Sequence, residues 1–134
     1  MRKIDEWMIE AIKKSFTENS KGAYMRDNTI VNAGESTAEV LLFGNRIAII
    51  NGNREKILFT LAGWNTQTTR ARLNAILQTW GGGARISSIK KAPCFTAFNS
   101  RPRPLDKNKD YQLLFDGVCF TLREYVTKEV IIKY

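Results

Sequence analysis

Apolar positions at the start of the chain recur every three or four residues: Ile4, Trp7, Met8, Ala11 and Ile12, with Phe16 extending the stripe. That period predicts a helix over 4–16. Lys3, Glu6, Glu10, Lys13 and Lys14 fill its other face, and Glu10 to Lys14 is a favourable i, i+4 pair. The run Asn19-Ser20-Lys21-Gly22 ends it. The stripe reads as core packing, with a partner-binding face as the alternative.

Beyond Gly22 the pattern shortens to strand length. A first strand is expected over 24–31, then a turn at Asn32-Ala33-Gly34-Glu35-Ser36. The runs 39–43 and 46–50 read as strands joined at Gly44-Asn45, a two-residue hairpin signal. Asn51-Gly52-Asn53 turns the chain again into a strand over 56–61.

The pattern returns to helical spacing after Gly63. Leu73, Ile76, Leu77 and Trp80 line one face of a helix expected over 68–80. Arg70, Asn74 and Gln78 follow at four-residue intervals, with Arg72 nearby. Asn65 or Thr66 can cap it, and Gly81-Gly82-Gly83 stops it as a flexible link. Strands then follow over 85–89 and 94–98 around Lys90-Lys91, and over 111–115 and 118–123 around Asp116-Gly117. Between them runs a proline-bearing basic loop over 101–110. The tail 126–134 alternates weakly and suits an edge strand. The order α-β-β-β-β-α-β-β-β-β implies an α+β fold: one domain over 1–134, with an antiparallel meander sheet, an N-terminal helix and a central helix.

Composition changes this picture mainly through charge. Twenty-one Lys and Arg against thirteen Asp and Glu give a net charge of +8. A basic surplus of that size favours a polyanion, an acidic protein surface or a phosphate-rich ligand. It excludes a DNA mimic. No apolar run approaches the ~20 residues of a membrane helix, and charges run through the N-terminus, so a cytoplasmic location is expected. The two cysteines, Cys94 and Cys119, sit in apolar-rich segments and read as small buried core residues.

Three stretches resemble a family of short tailed-bacteriophage proteins of unknown function. They are Asp27-Asn28-Thr29, the hairpin Leu41-Leu42-Phe43-Gly44-Asn45-Arg46-Ile47-Ala48, and the motif Gly63-Trp64-Asn65-Thr66-Gln67-Thr68-Thr69-Arg70-Ala71-Arg72-Leu73-Asn74-Ala75-Ile76-Leu77. The resemblance spans residues 27–77. Its hairpin usually carries His before Gly-Asn; Phe43 stands there instead, so no role for that histidine carries over. The resemblance implies phage origin and expression inside a bacterium, hence the host cytoplasm. It implies no activity.

Catalytic chemistry finds few candidates. The chain has no histidine, which removes the usual general base and metal ligand. That excludes Ser-His-Asp, Cys-His and most zinc-hydrolase arrangements. Two cysteines without histidine do not complete a four-ligand zinc site. Gly81-Gly82-Gly83 follows a helix rather than opening one, so it is no phosphate-cradling loop of the Walker type. Asp106 and Asp110 lie in a lysine-rich loop and read as solvated charge. No catalytic residue, metal or cofactor is expected.

Binding chemistry concentrates in two places. In the first, Trp64, Thr66, Thr68, Thr69, Arg70, Arg72 and Asn74 combine a helix N-terminus with hydroxyl and guanidinium donors, which suits a phosphate. Trp64 could stack on a base. The alternative is a well-capped helix with Trp64 in the core. The second place is Lys90, Lys91, Arg101, Arg103, Lys107 and Lys109, with Pro102 and Pro104 among them. It reads as an arm gripping a nucleic-acid backbone, or as a solvated loop. No zinc finger, leucine zipper or clear helix-turn-helix appears, so single strands or RNA suit the chain better than base-specific duplex reading. The leading expectation is a non-catalytic phage accessory protein that binds nucleic acid through basic residues. The alternative is a phage inhibitor of a bacterial host protein, such as a defence system or polymerase. A virion component is a third possibility.

Overall fold

The structure, a computed structural model, describes residues 1–17, 22–53, 55–97 and 100–126. It opens with helix α1 (Lys3–Thr17), whose buried face carries Met8, Ile9, Ala11 and Ile12. Five strands follow: β1 (Gly22–Arg26), β2 (Thr29–Gly34), β3 (Thr37–Leu42), β4 (Asn45–Asn51) and β5 (Lys56–Thr60). Helix α2 (Gln67–Trp80) comes next. The last described elements are β6 (Arg85–Ile89), β7 (Ala92–Thr96), β8 (Arg103–Pro104), β9 (Asp110–Phe115) and β10 (Phe120–Glu124). This is the expected α+β fold, with an N-terminal and a central helix and antiparallel pairing throughout.

The strands form two sheets rather than one meander. The larger has seven strands in the order β1-β2-β3-β4-β5-β9-β10, and the smaller has three in the order β6-β7-β8. Strand β9 pairs directly with β5. Helix α2 and the small sheet are therefore an insertion between two neighbouring strands. Alternation gives the large sheet one buried face: Ala38, Val40 and Leu42 point into the core from β3, and Thr37, Glu39 and Leu41 do not. Both helices cover the buried face, α1 against β2 and β3, α2 against β4.

The small sheet is held through α2 and an aromatic stack. Asn74 of α2 donates to the Ile86 carbonyl at 2.8 Å and accepts from the Ile86 N–H at 2.6 Å. It thus supplies strand β6 with the ladder partner that an edge strand lacks. Phe95 of β7 stacks on Phe59 of β5, which stacks on Tyr111 of β9, at centroid distances of 6.1 and 5.7 Å.

Several expectations are corrected. The single strand over 24–31 is two strands, β1 and β2, broken at Asp27-Asn28; Asp27 takes a positive φ of 50°. The third hairpin turns on Phe43-Gly44, not Gly44-Asn45, because Leu42 pairs with Asn45. Residues 103–104 join the small sheet rather than staying in a loop. Cys119 is exposed, whereas Cys94 is buried. The end of the strand expected over 94–98, the stop at 19–21 and most of the tail lie outside the described residues.

Candidate nucleic-acid interface

Two tight turns present the site. In the first, Phe43 and Gly44 have φ of 50° and 78° between the paired residues Leu42 and Asn45. Positive φ at both central positions matches the right-handed strand twist of a two-residue hairpin. Gly44 adopts it readily, but Phe43 does so at a cost of roughly 1–2 kcal/mol. The Phe43 N–H donates to the Asn28 carbonyl at 2.8 Å, which fixes the turn against the β1–β2 connection. In the second, Ala62 and Gly63 have φ of 53° and 85°. Here the Trp64 N–H closes the turn on the Leu61 carbonyl at 2.9 Å, and the Gly63 N–H donates to the Lys107 carbonyl at 2.7 Å.

These turns lift two aromatic side chains into solvent. Phe43 is 71% exposed and Trp64 61%. Between them lies an apolar cleft of about 300 Å³ floored by Leu42, Ile47, Leu61 and Ala62. Asn45, Thr66 and Thr69 add its polar edge. The alternative placement of Trp64 in the core is thereby excluded.

The threonines around the helix start are used locally. Thr66 is the N-cap of α2: its Oγ1 accepts from the Thr69 N–H at 3.2 Å and shares a 2.9 Å hydrogen bond with Thr69 Oγ1. Thr69 is buried and Thr68 half-buried. Arg70 is half-buried and folds back on Asn65, donating to its Oδ1 at 2.6 Å and its carbonyl at 3.2 Å. Asn65 in turn donates to Ser88 Oγ and the Lys91 carbonyl, each at 3.3 Å. Arg70 Nη1 thus stiffens the segment that follows Trp64.

Arg72 needs a larger correction. It is 2% exposed. Its Nη1 meets Asp5 Oδ1 at 2.8 Å, Nε donates to Thr29 Oγ1 at 3.0 Å, and Nη2 to Asn28 Oδ1 at 3.3 Å. This buried network ties α1, α2 and the start of β2 together and leaves no guanidinium for a phosphate. Asn74 is likewise committed to Ile86.

The basic residues divide. Lys90 and Lys91 form the exposed β6–β7 turn, with φ of 50° and 66°, and the Lys91 carbonyl contacts Asn65. Lys107 is exposed and accepts from Gly63 through its backbone. These three lysines therefore flank the turn that carries Trp64. Lys109 is paired with Glu124 at 3.2 Å, and that hydrogen bond and charge raise its pKa above the ordinary lysine value. Arg101 and Arg103 lie elsewhere, on a second cavity with Gly82 and Phe120.

The model of the Kyanoviridae Gp96 protein family matches residues 1–121. The chain belongs to that family. It is a family of phage proteins, as the resemblance implies. No curated protein matches the chain, and no solved structure does. In this Kyanoviridae Gp96 family member the three stretches meet at one place. Asn28 holds Phe43 and Arg72, the hairpin supplies one wall of the cleft, and the Gly63–Leu77 segment supplies the other. Sequence reasoning missed Phe43 as a surface residue. Its signal was an aromatic beside a turn glycine, where a polar residue is ordinary. No helix among the described residues is long and apolar enough to cross a membrane.

Proposed function

We propose that this phage protein binds single-stranded nucleic acid without catalysing a reaction on it, stacking unpaired bases on Phe43 and Trp64. One observation carries the reading: two exposed aromatics on tight turns border one cleft, beside the exposed lysines Lys90, Lys91 and Lys107. Aromatic platforms beside a basic track are the physical requirements of strand binding, and each stacked base contributes about 1–3 kcal/mol. A duplex keeps its bases stacked on one another and offers such platforms little. The absence of histidine supports a binding role over catalysis.

Fluorescence anisotropy with labelled single-stranded DNA, RNA and duplex DNA at several salt concentrations tests the reading. Single strands should bind more tightly than duplex, and affinity should fall as salt rises. Phe43→Ala and Trp64→Ala should each weaken binding about 5- to 150-fold while leaving the fold intact. Unchanged affinity in the folded double variant would sink the proposal. The same cleft could instead seat a side chain of a host protein. Absence of binding at physiological salt, with a stable complex recovered from nuclease-treated lysate, would favour that second reading.

A further inference from the structure

The first two of the three glycines after α2 are closely packed, whereas Gly83 faces open space. Gly81 ends the helix with its N–H on the Leu77 carbonyl at 2.7 Å, and a Cβ there would fall 2.8 Å from Leu77 backbone atoms. Gly82 has φ of +67°, and a Cβ on it would overlap the Phe120 ring. Phe120 is also held by a stack on Phe115, with centroids 4.6 Å apart. Small residues thus bring the helix exit close to the β9–β10 hairpin.

A cavity of about 420 Å³ opens beside this contact, within the ordinary range for small-molecule sites. Phe95, Leu113 and Phe120 give it an aromatic and aliphatic lining, and Arg101 and Arg103 bring two guanidinium groups. Arg103 is held in place by donating from Nη1 to the Leu122 carbonyl at 3.0 Å. That uses one of its five donors. Among the described residues no carboxylate lines the cavity. Asp116, in the neighbouring turn, spends Oδ1 on the N–H groups of Val118 and Cys119, each at 2.9 Å. Two cations without a counter-charge among the described lining residues, beside the partly exposed Phe120 ring, complement a flat apolar group that carries an anion. Arginine matches phosphate oxygens with paired hydrogen bonds.

We infer that this cavity binds a mononucleotide, with the base against Phe120 and the phosphate on Arg101 and Arg103. Its residues are separate from those of the Phe43–Trp64 cleft, so it stands or falls apart from strand binding. The shared chemistry, a base with a phosphate, could come from a free nucleotide or from one within a strand. The proposal commits to the free one.

Isothermal titration calorimetry of the full chain with AMP, GMP, CMP and UMP tests it, with adenosine and inorganic phosphate as controls. A saturable single site is expected for at least one mononucleotide. Adenosine and phosphate alone should bind at least about tenfold more weakly. The Arg101→Ala/Arg103→Ala variant should lose about tenfold or more, and Lys14→Gln, exposed on α1 and lining neither cavity, should lose nothing. Arg101→Ala alone keeps the Arg103–Leu122 bond, so its loss of affinity reports recognition and not folding. Equal binding by wild type and a folded double variant overturns the inference, as does the absence of saturation by any mononucleotide. Oligonucleotides that bind at these arginines where mononucleotides do not also overturn it, and return Arg101 and Arg103 to the strand.

Discussion

Arg72 carries a charge that the fold consumes. A guanidinium buried with a carboxylate and two further acceptors is costly to orphan: removing either partner leaves the other charge unpaired in a dry site. Arg72→Ala should therefore lower unfolding stability by about 3–5 kcal/mol in chemical denaturation, and Asp5→Ala by a similar amount. The two losses should not add, and a double-mutant cycle would measure the coupling. Additive losses would show that Asp5 and Arg72 stabilise the protein separately. Part of this was readable in the sequence. Arg72 lies three residues after Thr69 and four before Ile76, on the stripe that the helix buries. What sequence could not show was Asp5, because a partner 67 positions away is fixed only by how α1 packs on α2.

Elements were legible where period and turn chemistry agreed. Both helices and most strands lie within a few positions of the ranges that periodicity gives. The misplaced hairpin is instructive: Gly44-Asn45 is an ordinary turn signal, and nothing local says that a phenylalanine occupies the left-handed position beside it. A residue held there against its preference points toward function rather than stability. Phe43→Gly should leave thermal stability unchanged or raise it, by about 1–2 kcal/mol at most, while weakening strand binding. A loss of stability together with binding would instead make Phe43 a packing residue. Gly82→Ala is expected to act the other way. Its Cβ meets Phe120 and its φ is positive, so melting temperature should fall, with affinity for single strands retained by the folded fraction. Division of the strands into two sheets was not legible, because sheet membership depends on β9 returning to β5 across the insertion.

At the scale of the whole molecule, the question is whether the surplus of +8 acts as a diffuse field or at a place. Composition alone could not decide, since the basic residues include Arg72 in the core, Lys109 in an ion pair, two arginines at a separate cavity and three lysines around Trp64. Salt dependence separates the possibilities, because each phosphate neutralised on a single strand contributes about 0.7 to the slope of log affinity against log salt. If Lys90, Lys91 and Lys107 grip the strand, replacing all three with Gln should reduce that slope by about 2. Lys13 and Lys14 lie exposed on α1, do not line the cleft, and supply the control. Their replacement with Gln lowers net charge too, yet should leave the slope unchanged. A diffuse field predicts that slope loss follows charge removed, wherever it is removed. Equal loss per lysine in the two variants would therefore detach the charge from the cleft, and leave Phe43 and Trp64 as a surface for a protein partner.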